Sequence, residues 1–384
     1  MRRLLAFTCV VVFIDTLFYA AITPLLPELS ERFELSKSAA GVLAAAYPAG
    51  TFVGALPGGW LAARAGARTT VLLGLGLLVG SNVAFAVGDS AIVLDVARFA
   101  QGVGGAASWA GALGWLIEAA PRTHRGTMIG TALSAAVAGA LFGPVLGTAA
   151  AAVGKEVVFG GVATAGAGLM AWAARMRGVP SSGDARLRAL LASLADRRVV
   201  AGIWLTTLPG VLIGTMSVLA PLRLDELGAG AGAIGAAFLL AAALEAAVNP
   251  LVGRLSDRYG RLVPAAASVA GGGLAMAVLP WPETALLFGI VVVLGAPLIG
   301  ALYTPAMAIL SDGAEALGVA QGFAFALINL AWATGQTTGA AGGARLAELA
   351  GDRAPYLLLA GVCAVTLGLL WRWVALHTID PAAS

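Results

Sequence analysis

Two acidic residues and one arginine stand inside long apolar stretches of this 384-residue chain: Asp15, Glu245 and Arg98. An ionisable group within a membrane is costly, so such residues mark substrate or proton pathways by default. A carboxylate there can neutralise a cation, and it can instead bind a proton, because a low dielectric disfavours the charged form. The chemistry that these residue types indicate is the exchange of a cation for a proton.

Each of these residues also has a structural explanation. Asp15 could be a hydrogen-bonded polar group that faces a neighbouring helix, and Glu245, which lies nearer one membrane surface, could serve packing as readily as proton coupling. Arg98 could pair with Asp95 three residues earlier, take part in a proton relay, or extend its charge towards the membrane surface. The sequence leaves these alternatives open.

Neutral polar and aromatic residues could complete a binding cavity. Amides line cavities or bond between helices, and aromatic rings can wall a site for a lipophilic amine. The aromatic candidates are Phe18, Tyr19, Trp109, Trp115, Phe238, Phe325 and Trp332, and the amides are Gln101, Asn249, Asn329 and Gln336. The substrate and proton site predicted from the sequence comprises Asp15, Glu245, Arg98, Gln101, Asn329, Gln336 and Tyr19.

Membrane-spanning helices must position these residues. Hydrophobic residues make up 59% of the chain and charged residues 11%, too few charges to cover a soluble fold. The sequence therefore predicts an all-α integral membrane protein. Since a span needs about 20 mostly apolar residues, twelve spans are predicted, at about 4–27, 38–60, 69–88, 91–119, 127–150, 156–176, 199–221, 231–252, 262–281, 284–310, 319–341 and 354–376.

A short phrase occurs twice, half the chain apart, and each copy separates two apolar segments. The first runs from Gly59 through Arg64 to Arg68, and the second runs from Gly253 to Arg261. A repeat in the same direction predicts two six-helix bundles related by a pseudo-two-fold axis along the membrane normal.

The bundles are predicted at residues 1–176 and 199–384, and the polar stretch 177–198 is predicted to be a cytoplasmic linker. A second echo supports the duplication: four glycines of the fifth span, Gly126, Gly130, Gly143 and Gly147, recur in the eleventh as Gly318, Gly322, Gly335 and Gly339.

The two acids break this repeat. At the matching offsets, Asp15 corresponds to Leu212 and Glu245 corresponds to Thr51. A carboxylate needed only by the fold is expected in both halves, so its presence in one half favours a functional role.

Orientation follows from the basic residues, most of which lie in loops on the side of both termini. The positive-inside rule places that side in the cytoplasm. We expect a multi-pass protein of the plasma membrane, and the excess of arginine over lysine indicates a bacterial inner membrane.

The second phrase contains charges that could act as a conformational switch. Asp257 could accept hydrogen bonds from a helix start, and Arg258 could pair with an acid of a neighbouring helix, which would latch two helix ends in one state. Gly260 and Arg261 complete the turn. Alternatively, the phrase only sets topology. Ala63 replaces the acid in the first copy, so we expect a weaker latch there.

A glycine stripe in the fifth span could serve the same switch. Gly139, Gly143 and Gly147 fall on one helix face, where they allow another helix to approach closely. Pro144 removes a backbone hydrogen bond and is expected to bend the helix. General packing is an equally weighted alternative.

These motifs carry a family resemblance over essentially the whole chain. The segment from Gly253 to Arg261 resembles the G-x-L-x-D-R-x-G-R loop signature of the major facilitator superfamily, and the first copy departs from it at Ala63 and Ala67. The segment from Arg98 to Gly105 is similar to that family's R-x-x-Q-G-x-G motif.

A narrower resemblance comes from the fifth span. Gly139 to Gly147 is similar to the G-x-x-x-G-P-x-x-G motif associated with drug:proton antiporters. Within that branch, Asp15 and the run from Arg98 to Gly147 resemble the vesicular monoamine transporter type and bacterial multidrug efflux relatives.

The resemblance implies the major facilitator fold and a proton-coupled efflux antiporter for small, lipophilic cationic compounds, acting by alternating access as a monomer. The alternatives are a proton-coupled uptake symporter for a small polar solute and a non-transporting receptor or scaffold. The expected partners are a small-molecule substrate, protons and the lipid bilayer, with no nucleic acid.

An enzyme is not expected. His124 and His377 have no partners at ligand spacing, so no metal is expected, and the glycines between 102 and 105 do not follow a strand. No cofactor is expected, and Cys9 and Cys363 are interpreted as reduced residues.

Overall fold

A computed structural model describes residues 1–119, 125–178, 195–317 and 321–378, without the side chains of 125–127, 321–325 and 373–378. Most of the predicted linker, residues 179–194, lies outside the described part, as do Gly318 and the side chain of Phe325.

Helices connected by short turns make up the described part of the chain, and no strand occurs in those residues. Only a helix or a closed barrel satisfies backbone hydrogen bonds in lipid. The helices are α1 Arg2–Arg32, α2 Lys37–Ala65, α3 Ala67–Val87, α4 Ala91–Ala119, α5 Arg125–Val153, α6 Lys155–Arg175, α7 Arg197–Glu226, α8 Ala231–Tyr259, α9 Leu262–Val278, α10 Ala285–Gly300, α11 Tyr303–Ala316, α12 Gln321–Thr337, a π-helical turn Thr338–Gly342, α13 Gly343–Ala350 and α14 Arg353–Thr378.

Helix ends follow local sequence signals. The Ser36 side chain accepts from the amide of Ala39 at the start of α2, and Asp196 caps α7 in the same way. The two copies of the repeated phrase contain equivalent turns: Gly66 has φ 84° and Gly260 has φ 81°, a region that favours glycine. The repeat in sequence is thus a repeat in backbone conformation.

Among the described residues, nine helical segments are long and apolar enough to cross a membrane, with α10 and α11 forming one of them. The chain is a multi-pass membrane protein. α9 is a shorter apolar helix, and α4 carries Asp95 and Arg98 within its apolar sequence. The count of twelve crossings stays a prediction.

Buried side chains form separate cores before and after the linker. One cluster, which includes Phe7 and Trp115, draws only on α1–α6 and the residue after α6. Another, which includes Met216 and Phe288, draws only on helices after the linker. A third cluster joins the two groups, since it contains both Phe18 and Val218.

Several polar contacts between the two groups of helices lie at one end of the bundle. We call the end where α6 finishes and α7 starts the linker side, and the opposite end the far side. On the far side, Lys37 Nζ lies 2.7 Å from the Asp352 carboxylate and 3.3 Å from Glu226. The amide of Ser38 donates to Glu348 Oε2 at 2.8 Å. These contacts, here called the far-side bridge, join α2 to the ends of α7, α13 and α14.

Hydrogen bonds also affect the pKa of one acidic residue of the far-side bridge, Glu348. The Ser38 and Ser36 side chains and the Ser38 amide lower the pKa of the exposed Glu348 carboxyl. Glu348 therefore keeps its charge, and its contact with α2, under mildly acidic conditions.

Candidate functional site

Asp15 lies near the middle of α1 and is only 4% exposed. Its Oδ2 atom accepts two hydrogen bonds, from Tyr47 Oη and from Trp109 Nε1, each at 2.7 Å. Its Oδ1 atom is buried and has no hydrogen-bond partner. The carboxylate is therefore held through Oδ2, and Oδ1 is left without a hydrogen bond.

The close approach of α4 to this carboxylate depends on a glycine. A Cβ atom at Gly105 would lie 2.5 Å from Asp15 Oδ1 and 2.8 Å from Tyr47 Oη. Both distances are shorter than a Cβ atom tolerates, so a larger residue at this position would displace the carboxylate or the Tyr47 hydroxyl. This close approach explains why a glycine stands at position 105, in the glycine-rich segment that follows Arg98.

Arg98 is 1% exposed and is held by α1 rather than by an acid. Its Nη1 atom donates to the carbonyl of Phe18 at 3.1 Å and to Gln101 Oε1 at 3.2 Å, and its Nη2 atom donates to the carbonyl of Tyr19 at 3.3 Å. The guanidinium also lies 5.1 Å from the centre of the Tyr47 ring.

The suggested pairing of Arg98 with Asp95 is wrong for this structure. Asp95 has no ion pair in the described residues, and its Oδ1 atom has no hydrogen-bond partner. Residues three apart on a helix can pair, but the Nη1 and Nη2 atoms of Arg98 donate to the α1 carbonyls, and its buried Nε atom has no hydrogen-bond partner. Gln101 extends the network, since its Nε2 atom donates to Asn82 Oδ1 at 2.9 Å.

Aromatic rings connect the Asp15 region to the helices after the linker. The Tyr19 ring lies 5.2 Å from that of Tyr47 and 5.2 Å from that of Trp332 on α12. The predicted site residue Tyr19 is thus beside Asp15's hydrogen-bond donor, and it faces the second group of helices.

Glu245 occupies a second polar cluster. It is the central residue of α8, on the same face as the buried Ala241, and a Cβ atom at Gly300 would overlap its carboxylate. Asn249, one turn later, is its hydrogen-bonding neighbour. Tyr303 of α11 lies beside it, although the Tyr303 hydroxyl forms no well-aligned hydrogen bond.

The remaining amides are on α12. Gln336 is 3% exposed and lies next to Tyr303, so it belongs to the Glu245 cluster. Asn329 lies two turns earlier on the same helix and is half-buried. Among the described residues, no group of three or more histidine, cysteine, aspartate or glutamate side chains could hold a metal.

The charged turn of the second phrase has different partners from those expected. Asp257 Oδ1 accepts from Arg261 Nη1 at 2.6 Å instead of from a helix start, and Arg261 Nε lies 3.5 Å from Asp312. Arg258 stacks on the ring of Tyr259, 5.3 Å away, so it is Arg261 that pairs with the acid of another helix.

The first phrase has lost both members of this pair. Ala63 corresponds to Asp257 and Ala67 corresponds to Arg261, so the acid and the base of this pair are both replaced by alanine. Arg64 stacks on Trp60 at 4.8 Å. Arg68 instead donates to the last carbonyls of α6, those of Ala173 and Ala174.

The glycine stripe of α5 packs against α1, the helix that carries Asp15. Atoms that would meet an added Cβ include the carbonyl of Phe13 at Gly139, Ala20 at Gly143 and the carbonyl of Ala21 at Gly147. Pro144 lies between these contacts.

The matching stripe after the linker corrects the register of the glycine repeat. Gly335 contacts Thr207 and Val211 of α7 as Gly139 contacts α1, and Gly343 contacts Thr215 as Gly147 contacts Ala21. The correspondence of Gly143 with Gly335 is therefore displaced by one helical turn. Glycine composition alone does not distinguish the two registers.

Sequence reasoning missed Tyr47, Asn82 and Tyr303. Tyr47 and Asn82 are polar residues alone in apolar spans, and such residues usually find partners in a membrane. Tyr303 follows the break between α10 and α11, where the sequence predicts one uninterrupted span.

Comparisons with known proteins agree with this architecture. The profile of the Major Facilitator Superfamily matches residues 8–335. The chain is 31% identical over 139 residues to the MFS-type transporter ppzB of Metarhizium rileyi, and 32% identical over 139 residues to that of Metarhizium majus. Each match covers 35% of this chain, and 29% and 30% of those relatives respectively.

Solved structures share the fold along the chain. A bacterial homolog of the human lysosomal transporter Spinster, in an inward-facing and unoccupied conformation, has a TM-score of 0.79 at 14% identity, covering 96% of each chain. A D-xylose–proton symporter has a TM-score of 0.74 at 17% identity, covering 95% of this chain and 96% of its own. At such identities the likeness establishes the fold, which is the one expected from the motifs.

The profile match spans most of the residues that carry the Asp15 and Glu245 clusters. Members of this family transport solutes across membranes and are not enzymes. The chain belongs to the major facilitator superfamily of membrane transporters.

Proposed function

We propose that this protein is a proton-coupled antiporter that exports small lipophilic cations by alternating access, as a monomer in a bacterial plasma membrane. The observation that carries the proposal is the Asp15 carboxylate, which is buried, held on Oδ2 by Tyr47 and Trp109, and unpartnered on Oδ1. A buried unpartnered oxygen is costly, and a cationic group of a substrate removes that cost.

The surroundings of Asp15 favour a lipophilic cation over a polar solute. The rings of Tyr19, Tyr47 and Trp332 form a chain of contacts beside the carboxylate. Aromatic faces attract cations and bury apolar surface at the same time. This chemistry agrees with the drug:proton antiporter resemblance of the α5 motif.

Alternating access is proposed as the movement of two six-helix bundles, residues 1–176 and 199–384, joined by the linker 177–198. The separate hydrophobic clusters support two units. The far-side bridge supports a state closed on the far side, as does the fold's likeness to a structure described as inward-facing. We propose that both termini and the linker are cytoplasmic, following the positive-inside rule.

The proposal is tested with purified protein in liposomes whose interior is acidic. Tetraphenylphosphonium should accumulate inside, because protons leave as the cation enters. Asp15→Asn should abolish this accumulation, since an amide keeps the shape but carries neither charge nor proton. Asp95→Asn is the matched control, because Asp95 is a partly buried carboxyl without an ion pair in the described residues, and it should behave like the wild type.

Two results would reject the proposal. Wild-type accumulation by Asp15→Asn would reduce Asp15 to a structural role. Accumulation that requires an alkaline interior would identify a symporter, the alternative function, because substrate and proton would then move in the same direction.

A further inference from the structure

We propose that the two buried carboxylates divide the work: Glu245 carries the proton, and Asp15 is reserved for the cationic substrate. The inference rests on the proposed antiport function and assigns its two charges to separate sites. Pairs of titratable groups in unlike surroundings commonly take unlike roles.

Asp15 has neighbours that favour its charged form. Tyr47 and Trp109 both donate to its Oδ2 atom, and the guanidinium of Arg98 lies over the Tyr47 ring. Hydrogen bonds to a carboxylate and a nearby cation both favour its charged form. Such a group attracts a cation.

Glu245 has less support of this kind, from a hydrogen bond with Asn249. Neither arginine nor lysine lies within ion-pair distance of it in the described residues. Of the helices packed against α8, α9 and α10 contain no ionisable residue, and α5 contains none after Arg125. The charged residues of α7 lie near its ends. From α11, Tyr303 faces Glu245, and from α1, Tyr19 lies beyond Tyr303.

The neighbourhood of Glu245 suits a neutral carboxyl group that donates a hydrogen bond. Its carboxylate lies against Gly300, where α10 ends and the helix is interrupted before Tyr303. Pro305 has no N–H, so the carbonyl of Ala301 in this break loses its usual helical donor. A protonated Glu245 brings an O–H donor to this break, and an ionised Glu245 brings none.

The sequence repeat offers an internal comparison. Glu245 corresponds to Thr51, whose hydroxyl donates to the carbonyl of Tyr47 at 3.2 Å and, more weakly, to that of Gly102 at 3.4 Å. The first half thus has a permanent hydroxyl donor at the position where the second half has a carboxyl, which is a donor only while it is protonated. Protonation therefore decides whether Glu245 can donate a hydrogen bond.

The two sites are close enough to influence each other. Tyr47, which binds Asp15, is in ring contact with Tyr19, and Tyr19 in turn lies near Tyr303 beside Glu245. During a cycle, Glu245 takes a proton from water on one side and releases it on the other, so that only its O–H bond forms and breaks.

The test separates driven transport from simple exchange, with Glu245→Gln as the main variant and tetraphenylphosphonium as the probe. Exchange of labelled for unlabelled probe across liposomes needs no proton, so Glu245→Gln should keep it within about twofold of the wild type. Accumulation driven by an acidic interior should fall by about tenfold or more, because an amide cannot carry a proton.

Three further variants serve as controls for this test. Glu245→Thr inserts the residue that stands at the matching position of the internal repeat, and it should give the same result as Glu245→Gln. If one of the two variants folds poorly, the other still provides the test. Asp95→Asn should keep both exchange and driven accumulation. Asp15→Asn should lose exchange itself, because it removes the binding charge.

The outcomes distinguish the two proposals. Acid-driven accumulation that persists in folded Glu245→Gln and Glu245→Thr would overturn the division of roles while leaving antiport at Asp15 intact. Loss of both exchange and accumulation in these variants would also overturn it, since Glu245 would then serve substrate binding. A wild type that never responds to the pH gradient would instead reject the antiport function.

Discussion

At the scale of single residues, the proposed site centres on a carboxylate whose two oxygens differ. Asp15 was predictable, because an acid in the middle of an apolar span is rare and costly. Its donors were not equally predictable: Trp109 was only one of several aromatic candidates, and Tyr47 was missed. Sequence spacing does not tell which side chains of different helices meet. Arg98 shows the same limit, since Asp95 is near it in sequence but the α1 carbonyls are its partners.

Gly105→Ala should weaken tetraphenylphosphonium binding by about tenfold or more, because overpacking a close contact commonly costs about 1–3 kcal/mol. The added methyl group would lie 2.5 Å from Asp15 Oδ1 and would displace the carboxylate from Tyr47. Equilibrium binding to purified protein measures the effect. Gly114→Ala is the control on the same helix, since a Cβ there meets nothing within 4 Å. Equal affinity of the two variants would show that the free oxygen is not the binding point.

At the scale of elements, glycines decide which helices can touch. The span boundaries followed from hydropathy, and helices occupy the predicted spans in the described residues. The interruption between α10 and α11 was not foreseen, because Gly300 and the residues after it are as apolar as their neighbours. The register of the glycine repeat was also mistaken by one turn, since many glycines occur at similar spacing. Only the contacts of Gly335 with α7 fix the correct register.

Gly139→Ala should lower the thermal unfolding midpoint of the purified protein by several degrees. A Cβ at Gly139 would collide with the backbone of α1 at Phe13 and Leu17, and backbone cannot move away as a side-chain tip can. Gly130→Ala on the same helix has open space and should leave the midpoint unchanged or slightly raised, because alanine favours helix. Equal midpoints for both variants would mean that α1 and α5 do not pack as described.

At the scale of the whole molecule, the helices before and after the linker meet in a shared hydrophobic cluster and at the far-side bridge. The sequence predicts a division into halves because the repeated phrase occurs twice, and the same turn occurs in both copies, at Gly66 and Gly260. The bridge was not predictable, since Lys37 and Asp352 are far apart in the chain. A transporter that alternates must break this bridge to open the far side.

Lys37→Gln should make the far side open more often. The change leaves Asp352 and Glu226 without their shared cation, and a pair of this kind contributes about 1 kcal/mol, or about a fivefold population shift. The measurement is labelling of Ala344→Cys, a buried position against Gly41, by an impermeant maleimide in a background without Cys9 and Cys363. Labelling should accelerate by about fivefold.

Arg32→Gln is the control for this experiment, because Arg32 and Glu156 form an exposed pair on the far side within the first six helices. It should not change labelling. Faster labelling in Arg32→Gln than in Lys37→Gln would argue against the bridge as the closing contact.

Since Ser38 and Ser36 lower the pKa of Glu348, the contact of Glu348 with α2 is present at neutral pH and is lost only as pH falls through that lowered value.

The measurement that tests the central claim most directly is the direction of proton movement during transport. Liposomes containing the protein and a trapped pH dye, with equal pH on both sides and the membrane potential clamped, receive tetraphenylphosphonium outside. The account predicts that the interior becomes alkaline as the cation enters and protons leave, and that Asp15→Asn gives no change. An interior that becomes acidic, or cation entry without any proton movement, would contradict antiport.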